Sequence, residues 1–195
     1  MNSSAPDDPR INWLNCLGDS LTNSDYTTLI PKDQQYPHLL QTAIDGYCRA
    51  RNLGKTGDTT TQMYARLQNA LYPVPTVFVI YGGINDVIQS VADATTQTNL
   101  ETMIDGIVAA GCARIILCNI HTMKDATDSN YNAKRAVISA VAASKNVALC
   151  DLSEIEFVTA DYWDVVHFKA AGLNKIANKI KATLDTQGWT SLLSV

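Results

Sequence analysis

The stretch Val77–Tyr81, which reads VFVIY, is the segment that most directly indicates the fold of this chain. Its apolar and aromatic side chains follow one another without alternation, as in strands that are covered on both faces of a parallel sheet. The stretch Ile115–Cys118, IILC, has the same character. Strands are predicted around these two runs, over residues 76–81 and 113–120, and also over residues 11–17, 146–152 and, by a less apolar pattern, 47–53.

Apolar residues at helical spacing alternate with these strands. Met63, Leu67 and Leu71 repeat every fourth residue and predict one helix. Comparable patterns predict helices over residues 36–44 and around 100–108, 137–141 and 173–184. This alternation is typical of an α/β layer sandwich with a parallel sheet. Because the composition shows no break, we expect a single domain over residues 1–195, with residues 1–10 as a polar leader or linker.

Composition and charge argue against several classes of partner. Of the 195 residues, 46% are hydrophobic and 17% are charged, and the net charge is −4 without a basic stripe. Nucleic acid and anionic membranes are therefore not expected partners. No apolar run approaches the roughly 20 residues that cross a membrane, so no membrane span is expected.

The cysteines and the N-terminal residues bear on the compartment. The five cysteines are an odd number without motif spacing, and most lie in or beside apolar stretches, where cysteine behaves as a small hydrophobe. The first residues lack the basic start and apolar core of a signal peptide. A cytoplasmic location is slightly favoured, and a fragment of a larger or exported protein stays open as an alternative.

Polar and glycine-containing segments follow the predicted strands. Ser20 follows the first strand, residues 54–59 follow the second, and residues 82–86 follow the third. Asp164 and His167 come after the last strand. Ligands of parallel sheets bind beyond the carboxyl ends of the strands, so all these segments are expected at one edge.

Ser20 and His167 have the residue types of a hydrolytic nucleophile and its base. A serine hydroxyl needs a base to take its proton, and a histidine base needs a carboxylate that fixes its tautomer. Asp164 stands three residues before His167, which lets its carboxylate reach Nδ1 while Nε2 faces the serine. Asp161 is a rival carboxylate at a less suitable spacing. The alternatives are a turn or N-cap serine and a histidine in the first turn of a helix.

The other two histidines are weaker candidates. His38 stands at a predicted helix start and is interpreted as structural. His121 follows the predicted strand 113–120 and could line the pocket, but no carboxylate stands at a matching spacing.

Acyl transfer also requires donors aimed at the developing oxyanion. Asn85, in the string GGIND, is a candidate because its amide donates and the preceding glycines allow a tight turn. Gly57 is another, since it precedes a predicted helix start whose backbone N–H groups favour negative charge. For both, the alternative is an ordinary loop residue.

Other functional patterns are incomplete. The string GKT at residues 54–56 resembles the end of a phosphate-binding loop, but Arg49 stands where the full pattern needs a glycine. The chain has no G-x-S-x-G string, which argues against the ordinary α/β-hydrolase fold. Histidine, cysteine and carboxylate residues show no metal-ligand spacing, so neither a metal nor a cofactor is expected.

Four blocks together resemble the SGNH, or GDSL, hydrolase family: GDSL at residues 18–21, a Gly-Asp-Thr string at 57–59, GIND at 83–86, and Asp164-x-x-His167. They occur in family order over nearly the whole chain. The resemblance implies a flavodoxin-like three-layer α/β/α sandwich with a five-stranded parallel sheet. It also implies Ser20 as nucleophile, His167 as base and Asp164 as its partner. The implied oxyanion hole consists of the backbone N–H groups of Ser20 and Gly57 and the side chain of Asn85.

The family contains carboxylesterases, thioesterases, lysophospholipases and carbohydrate acetylesterases. The chain is short for the family, which leaves little room for a lid or a long acyl tunnel and favours short acyl groups. The polar segment 22–35 is predicted to form a pocket wall and, through Asp25, Tyr26, Lys32 and Asp33, favours a polar alcohol such as a sugar. Asn132, at a helix start, also resembles a family feature and is assigned a structural role.

The sequence therefore predicts a serine ester hydrolase for short-chain acyl esters of small molecules or carbohydrates, with O-acetyl groups on carbohydrate as one candidate. A thioesterase or lysophospholipase of the same family is the alternative within this chemistry. A non-catalytic carbohydrate-binding or structural module is the alternative of another class. The sequence leaves the oligomeric state open.

Overall fold

The computed structural model describes residues 11–24, 30–44, 46–124 and 129–194, which build a five-stranded, all-parallel sheet. The strands are β1 (Asn12–Gly18), β2 (Cys48–Gly54), β3 (Val77–Tyr81), β4 (Ile115–Cys118) and β5 (Ala148–Cys150). Their spatial order is β2-β1-β3-β4-β5. This is the flavodoxin-like order, in which the winding reverses between β1 and β3. The predicted parallel sheet of five strands is confirmed.

The centre of the sheet is formed by β1, β3 and β4. Every residue of β3 and β4 is buried, as their continuous apolar sequences predict. The last residue of β3, Tyr81, lies opposite Gly18 of β1 and Cys118 of β4. The three strands therefore end at one level, and the segments that follow them start side by side.

The edge strand β5 is shorter than the predicted strand over residues 146–152. Among the described residues β5 pairs with β4 alone, over three residue pairs from Ala148 to Cys150. Beyond Cys150, the chain turns into a short 3-10 segment, Leu152–Glu154. Because only one neighbour supplies hydrogen bonds, the strand extends no further than its register with the four-residue β4 allows.

Helices cover both faces of the sheet. They are α1 (Ser20–Asn23), α2 (Tyr36–Ile44), α3 (Thr60–Ala65), α4 (Ile84–Ile88), α5 (Asp93–Ala109), α6 (Ser129–Ser144), α7 (Ala170–Thr186) and α8 (Thr190–Ser194). One layer contains α2, α7 and α8, which contact one another, and the other contains α3, α5 and α6. No helix in the described part of the chain is long and apolar enough to cross a membrane.

The helix predicted from Met63, Leu67 and Leu71 is interrupted. Helix α3 ends at Ala65, and a separate 3-10 turn covers Leu67–Ala70. Arg66 lies between them with φ −112°. Its guanidinium donates to the carbonyls of Leu53 and Gly18 at 2.7 Å each and to the Asp58 carboxylate at 2.6 Å. The stabilisation from these contacts with three other segments is greater than the stabilisation that a longer helix would give.

Candidate active site

The sharp turn after β1 places Ser20 at the carboxyl edge of the sheet. Gly18 leaves no room for a side chain, because a Cβ there would lie 2.4 Å from the Tyr81 carbonyl. Asp19 then caps α1 by accepting the backbone N–H of Leu21 at 2.9 Å. Ser20 is the first residue of α1 and is only 4% exposed. Close strand packing and the cap together orient its hydroxyl.

A continuous chain of hydrogen bonds joins Ser20, His167 and Asp164. Ser20 Oγ lies 2.9 Å from His167 Nε2, and His167 Nδ1 lies 2.8 Å from Asp164 Oδ2. A carboxylate oxygen accepts, so Nδ1 carries the proton and Nε2 of the neutral ring accepts from the serine hydroxyl. The structure thus brings together three residues that are separated by up to 147 positions in the sequence.

Backbone donors hold the Asp164 carboxylate in place. Its Oδ1 accepts the N–H groups of Val166 at 2.8 Å and His167 at 2.7 Å. Partial burial pushes the pKa of Asp164 upwards, but the hydrogen bonds from the His167 backbone and ring and from Val166 outweigh it, so the pKa is lowered. The carboxylate is therefore ionised at neutral pH, as stabilising an imidazolium requires.

The rival carboxylate Asp161 has other partners. It accepts from Lys175 Nζ at 2.7 Å and from the backbone N–H of Val158 at 2.8 Å. Its burial raises the pKa, but Lys175 and the Val158 N–H lower it by more. Asp161 thus anchors the start of this loop to α7, and the side chain hydrogen-bonded to His167 is Asp164.

Gly57 and Asn85 both adjoin Asp58, and Asn85 also approaches Asp19, the residue before Ser20. Gly57 adopts φ +82° in a turn closed by a 3.2 Å bond from the Asp58 N–H to the Lys55 carbonyl. A Cβ at Gly57 would meet nothing within 4 Å, so this turn borders open space. Asn85 lies in the first turn of α4, and its Nδ2 donates to the Asp58 carbonyl at 3.0 Å and approaches Asp19 Oδ2 at 3.4 Å. The turn and the amide are therefore held together through Asp58.

Asp19 is a buried carboxyl group beneath this edge. Burial raises its pKa to about 7, the Leu21 N–H opposes the rise, and the nearby Asp86 adds to it. Asp86 itself accepts from Thr60 and Thr96, which joins α3, α4 and α5 below the loop. In the sequence, Asp19 is recognisable only as part of the GDSL string, because its burial depends on the packing of three separate loops.

The remaining candidates are distributed around this site. His38 is exposed on α2. Asn132 accepts from Arg135 Nη1 at 2.7 Å, one turn along α6. His121 is fully buried among aromatic rings and does not line an open pocket. Of the predicted wall over residues 22–35, the structure describes a 3-10 turn at Lys32–Gln34, whereas Asp25 and Tyr26 lie outside the described residues.

A separate cavity of about 340 Å³ lies beside α4, α5 and α6 and is not lined by Ser20, His167 or Asp164. Lys134, which lines it, donates to Asp93 at 2.7 Å, the Val91 carbonyl at 2.8 Å and Thr96 at 3.0 Å. Its ammonium group is thus used within the protein. In the part of the chain that the structure describes, no three histidine, cysteine or carboxylate side chains are grouped to hold a metal ion.

A flavodoxin-like sheet with a hydrogen-bonded serine, histidine and aspartate at its carboxyl edge defines a class of serine hydrolases distinct from the ordinary α/β-hydrolase fold. The chain matches the family model described as "GDSL-like Lipase/Acylhydrolase family" over residues 16–174. It belongs to this family and is a carboxylic ester hydrolase. A search of curated proteins found no significant match.

Solved structures share the fold over nearly the whole chain. "Crystal Structure of TesA" has 28% sequence identity and a TM-score of 0.79, covering 90% of this chain and 99% of that one. The psychrotrophic esterase EstA from Pseudoalteromonas sp. has 19% identity and a TM-score of 0.77, with coverages of 90% and 98%. The acetyl xylan esterase AlAXEase has 19% identity and a TM-score of 0.72, with coverages of 88% and 99%. At such identities, the last two show the similarity of fold alone.

Proposed function

We propose that this protein hydrolyses short-chain acyl esters through an acyl-enzyme intermediate formed on Ser20. The observation that carries the proposal is the hydrogen-bond chain from Ser20 Oγ through His167 to Asp164, with links of 2.9 and 2.8 Å. In this arrangement His167 is the general base and Asp164 is the residue that fixes its tautomer. The same residue types in the same order of contacts serve serine hydrolases of unrelated folds.

The reaction then proceeds in two transfers. Ser20 Oγ attacks the ester carbonyl carbon while His167 Nε2 takes the hydroxyl proton, and the ionised Asp164 stabilises the resulting imidazolium. When the tetrahedral intermediate collapses, His167 gives this proton to the oxygen of the leaving alcohol. A water molecule next attacks the acyl group on Ser20, with His167 again as base, and the free carboxylic acid and Ser20 are released.

The oxyanion of each tetrahedral intermediate is proposed to bind to the backbone N–H groups of Ser20 and Gly57 and to Asn85 Nδ2. Two features support this assignment. The positive φ of Gly57 belongs to a turn that borders open space, and the Asn85 amide is oriented by its 3.0 Å bond to the Asp58 carbonyl. Donors that are fixed before the reaction stabilise the developing charge without reorganising.

The proposed substrates are esters with short acyl groups, and O-acetyl groups on carbohydrate are the first candidate. The side chain of Asp164 is 47% exposed and that of His167 is 21% exposed, so this part of the site lies at the protein surface. A surface site lets an ester on a bulky alcohol reach Ser20. A protein named an acetyl xylan esterase shares the fold, so the fold is compatible with this substrate class.

The test is a substrate panel with a nucleophile variant. We expect the wild type to hydrolyse p-nitrophenyl acetate and butyrate faster than the octanoate or acyl-CoA, and to release acetate from acetylated xylo-oligosaccharides. Ser20→Ala should stay folded and lose several orders of magnitude in kcat. A fluorophosphonate probe should label the wild type and not Ser20→Ala.

Each arm of this test has a contrary outcome. Ser20→Ala with wild-type turnover would refute the mechanism. A faster reaction with octanoate or acyl-CoA would keep the mechanism and replace the proposed substrate class by lysophospholipid-like or thioester substrates. A wild type that neither turns over nor reacts with the probe would indicate a non-catalytic module.

A further inference from the structure

A buried histidine lies directly behind the loop that carries Asp164 and His167. His121 follows β4 and is 0% exposed. Its Nε2 is 3.1 Å from the carbonyl oxygen of Val166, the residue before His167. Its Nδ1 is 2.7 Å from the hydroxyl of Tyr81, the last residue of β3. Both ring nitrogens therefore make hydrogen bonds, Nε2 with the segment that carries His167 and Nδ1 with the last residue of β3.

These contacts determine the tautomer of His121. The Val166 carbonyl can only accept, so Nε2 carries the proton and Nδ1 of the neutral ring accepts from the Tyr81 hydroxyl. Burial is the main cause that lowers the pKa of His121 to about 3; the hydrogen bond to Val166 opposes this effect and the positive charge of Arg135 adds to it. The ring therefore stays neutral at the pH at which an ester hydrolase works.

The segment that this bond holds is a loop enclosed by an antiparallel bridge between Tyr162 and Phe168. Asp164–His167 lies outside any helix or strand, and Val165 is 60% exposed. Besides the hydrogen bonds to Asp164, the described backbone bonds run from the Trp163 N–H to the His167 carbonyl at 2.7 Å and from the Lys124 N–H to the Val165 carbonyl at 3.2 Å. The bond from His121 reaches the segment from its buried side.

Packing contacts and hydrogen bonds hold His121 itself in position. Its ring packs edge-on against Phe168 with the ring centroids 4.6 Å apart. Arg135 of α6 donates to the carbonyls of Ile120 at 2.8 Å and His121 at 2.5 Å, which holds the backbone on which the ring is carried. A misplacement of the acid–base loop by about 1 Å can cost roughly 10²-fold in rate, so a rigid anchor at this point has catalytic value.

We propose that His121 is a positioning residue of the esterase reaction. It holds the Val166 carbonyl so that His167 stays within hydrogen-bonding distance of Ser20, and Tyr81 fixes the tautomer that makes this possible. Tyr81 immediately precedes the loop with Asn85, so the two hydrogen bonds of His121 connect the strand end before that loop with the segment that carries His167. This inference rests on the proposed function of Ser20 and His167.

The test compares two substitutions of similar size, of which only one retains an N–H donor. His121→Gln can place an amide N–H near the position of Nε2, whereas His121→Met cannot donate. We expect His121→Gln to keep kcat within about threefold of the wild type and His121→Met to lower it by about 10–100-fold, with KM changed less than about twofold in both. Tyr81→Phe should lower kcat several-fold, and the exposed His38→Gln is the control for the histidine-to-glutamine change.

Kinetics are measured at 25 °C on proteins whose melting temperatures are also recorded. Equal kcat values for folded His121→Gln and His121→Met would overturn the proposal, because the proposed role requires a donor that glutamine supplies and methionine does not. If His121→Met does not fold, Tyr81→Phe decides, and wild-type kcat in that variant overturns the proposal. An inactive wild type that does not react with fluorophosphonate would instead refute the proposed function. An active wild type whose His121 and Tyr81 variants keep the wild-type kcat would refute the positioning role alone.

Discussion

The variant Asn85→Ala separates a catalytic role of the amide from a structural one. In the structure Asn85 Nδ2 donates one hydrogen bond of 3.0 Å to the Asp58 carbonyl and a longer one of 3.4 Å to Asp19 Oδ2. Loss of a bond of the first kind costs about 1 kcal/mol of stability. In a domain of this size, that corresponds to a fall in Tm of about 2–4 °C.

The expected kinetic effect is much larger. Removal of one donor from an oxyanion hole costs about 10²–10³-fold in kcat, or roughly 2.7–4 kcal/mol of transition-state stabilisation. Because the oxyanion exists only after Ser20 has attacked, KM should change little. Asn85→Ala should therefore be folded, slightly less stable, and slow by at least two orders of magnitude.

The assay is steady-state hydrolysis of p-nitrophenyl acetate, with thermal unfolding measured on the same preparation. Asn99→Ala is the matched control, because Asn99 Nδ2 donates to the Thr60 and Thr61 hydroxyls at 3.1 and 2.9 Å without being placed in the site. We expect this control to lose stability and to keep its kcat. An Asn85→Ala protein with lowered Tm but wild-type kcat would show that Asn85 only shapes the loop, and the reasoning would be refuted.

Three further predictions test other parts of the structure. Asp164→Asn should lower kcat by on the order of 10²–10⁴-fold through loss of tautomer control, whereas Asp161→Asn should mainly lower Tm; the reverse pattern would contradict the observed hydrogen bonds. Folding raises the pKa of Asp19 from 3.8 to about 7, so the folded state binds this proton more tightly and wild-type stability is lost as pH rises between these values. The free energy of unfolding of Asp19→Asn relative to that of the wild type, measured with urea, should therefore increase from about pH 4 to about pH 8. A difference that does not change with pH would refute this prediction. Arg66→Met leaves the buried Asp58 carboxylate without its partner and should cost about 3 kcal/mol of stability, and an unchanged urea midpoint would contradict this.

The strands could be predicted because each apolar run is stable only where both of its faces are buried. The sequences VFVIY and IILC have no polar face, so both sides must be covered, and a parallel sheet between two layers of helices provides this. The site could be predicted in outline for a related reason. Segments that follow parallel strands meet at one edge, and Ser20, Asn85 and Asp164-x-x-His167 all follow such strands.

Other features depended on contacts between segments that are distant in sequence. Helix α3 stops at Ala65 because the guanidinium of Arg66 bonds to the ends of β1 and β2, which no local periodicity reveals. Similarly, β5 is short because of its register with β4 at the sheet edge.

Local sequence alone determined the buried strands and the spacing that lets Asp164 reach His167, since both follow from side-chain polarity and from separations of a few residues. Tertiary structure decided that Asp161 pairs with Lys175, that Asp19 is buried with a raised pKa, and that His121 bonds to the backbone beside His167. The physical reason is that burial and hydrogen-bond partners are properties of the packed loops. They arise only when the ends of several strands come together at one edge of the sheet.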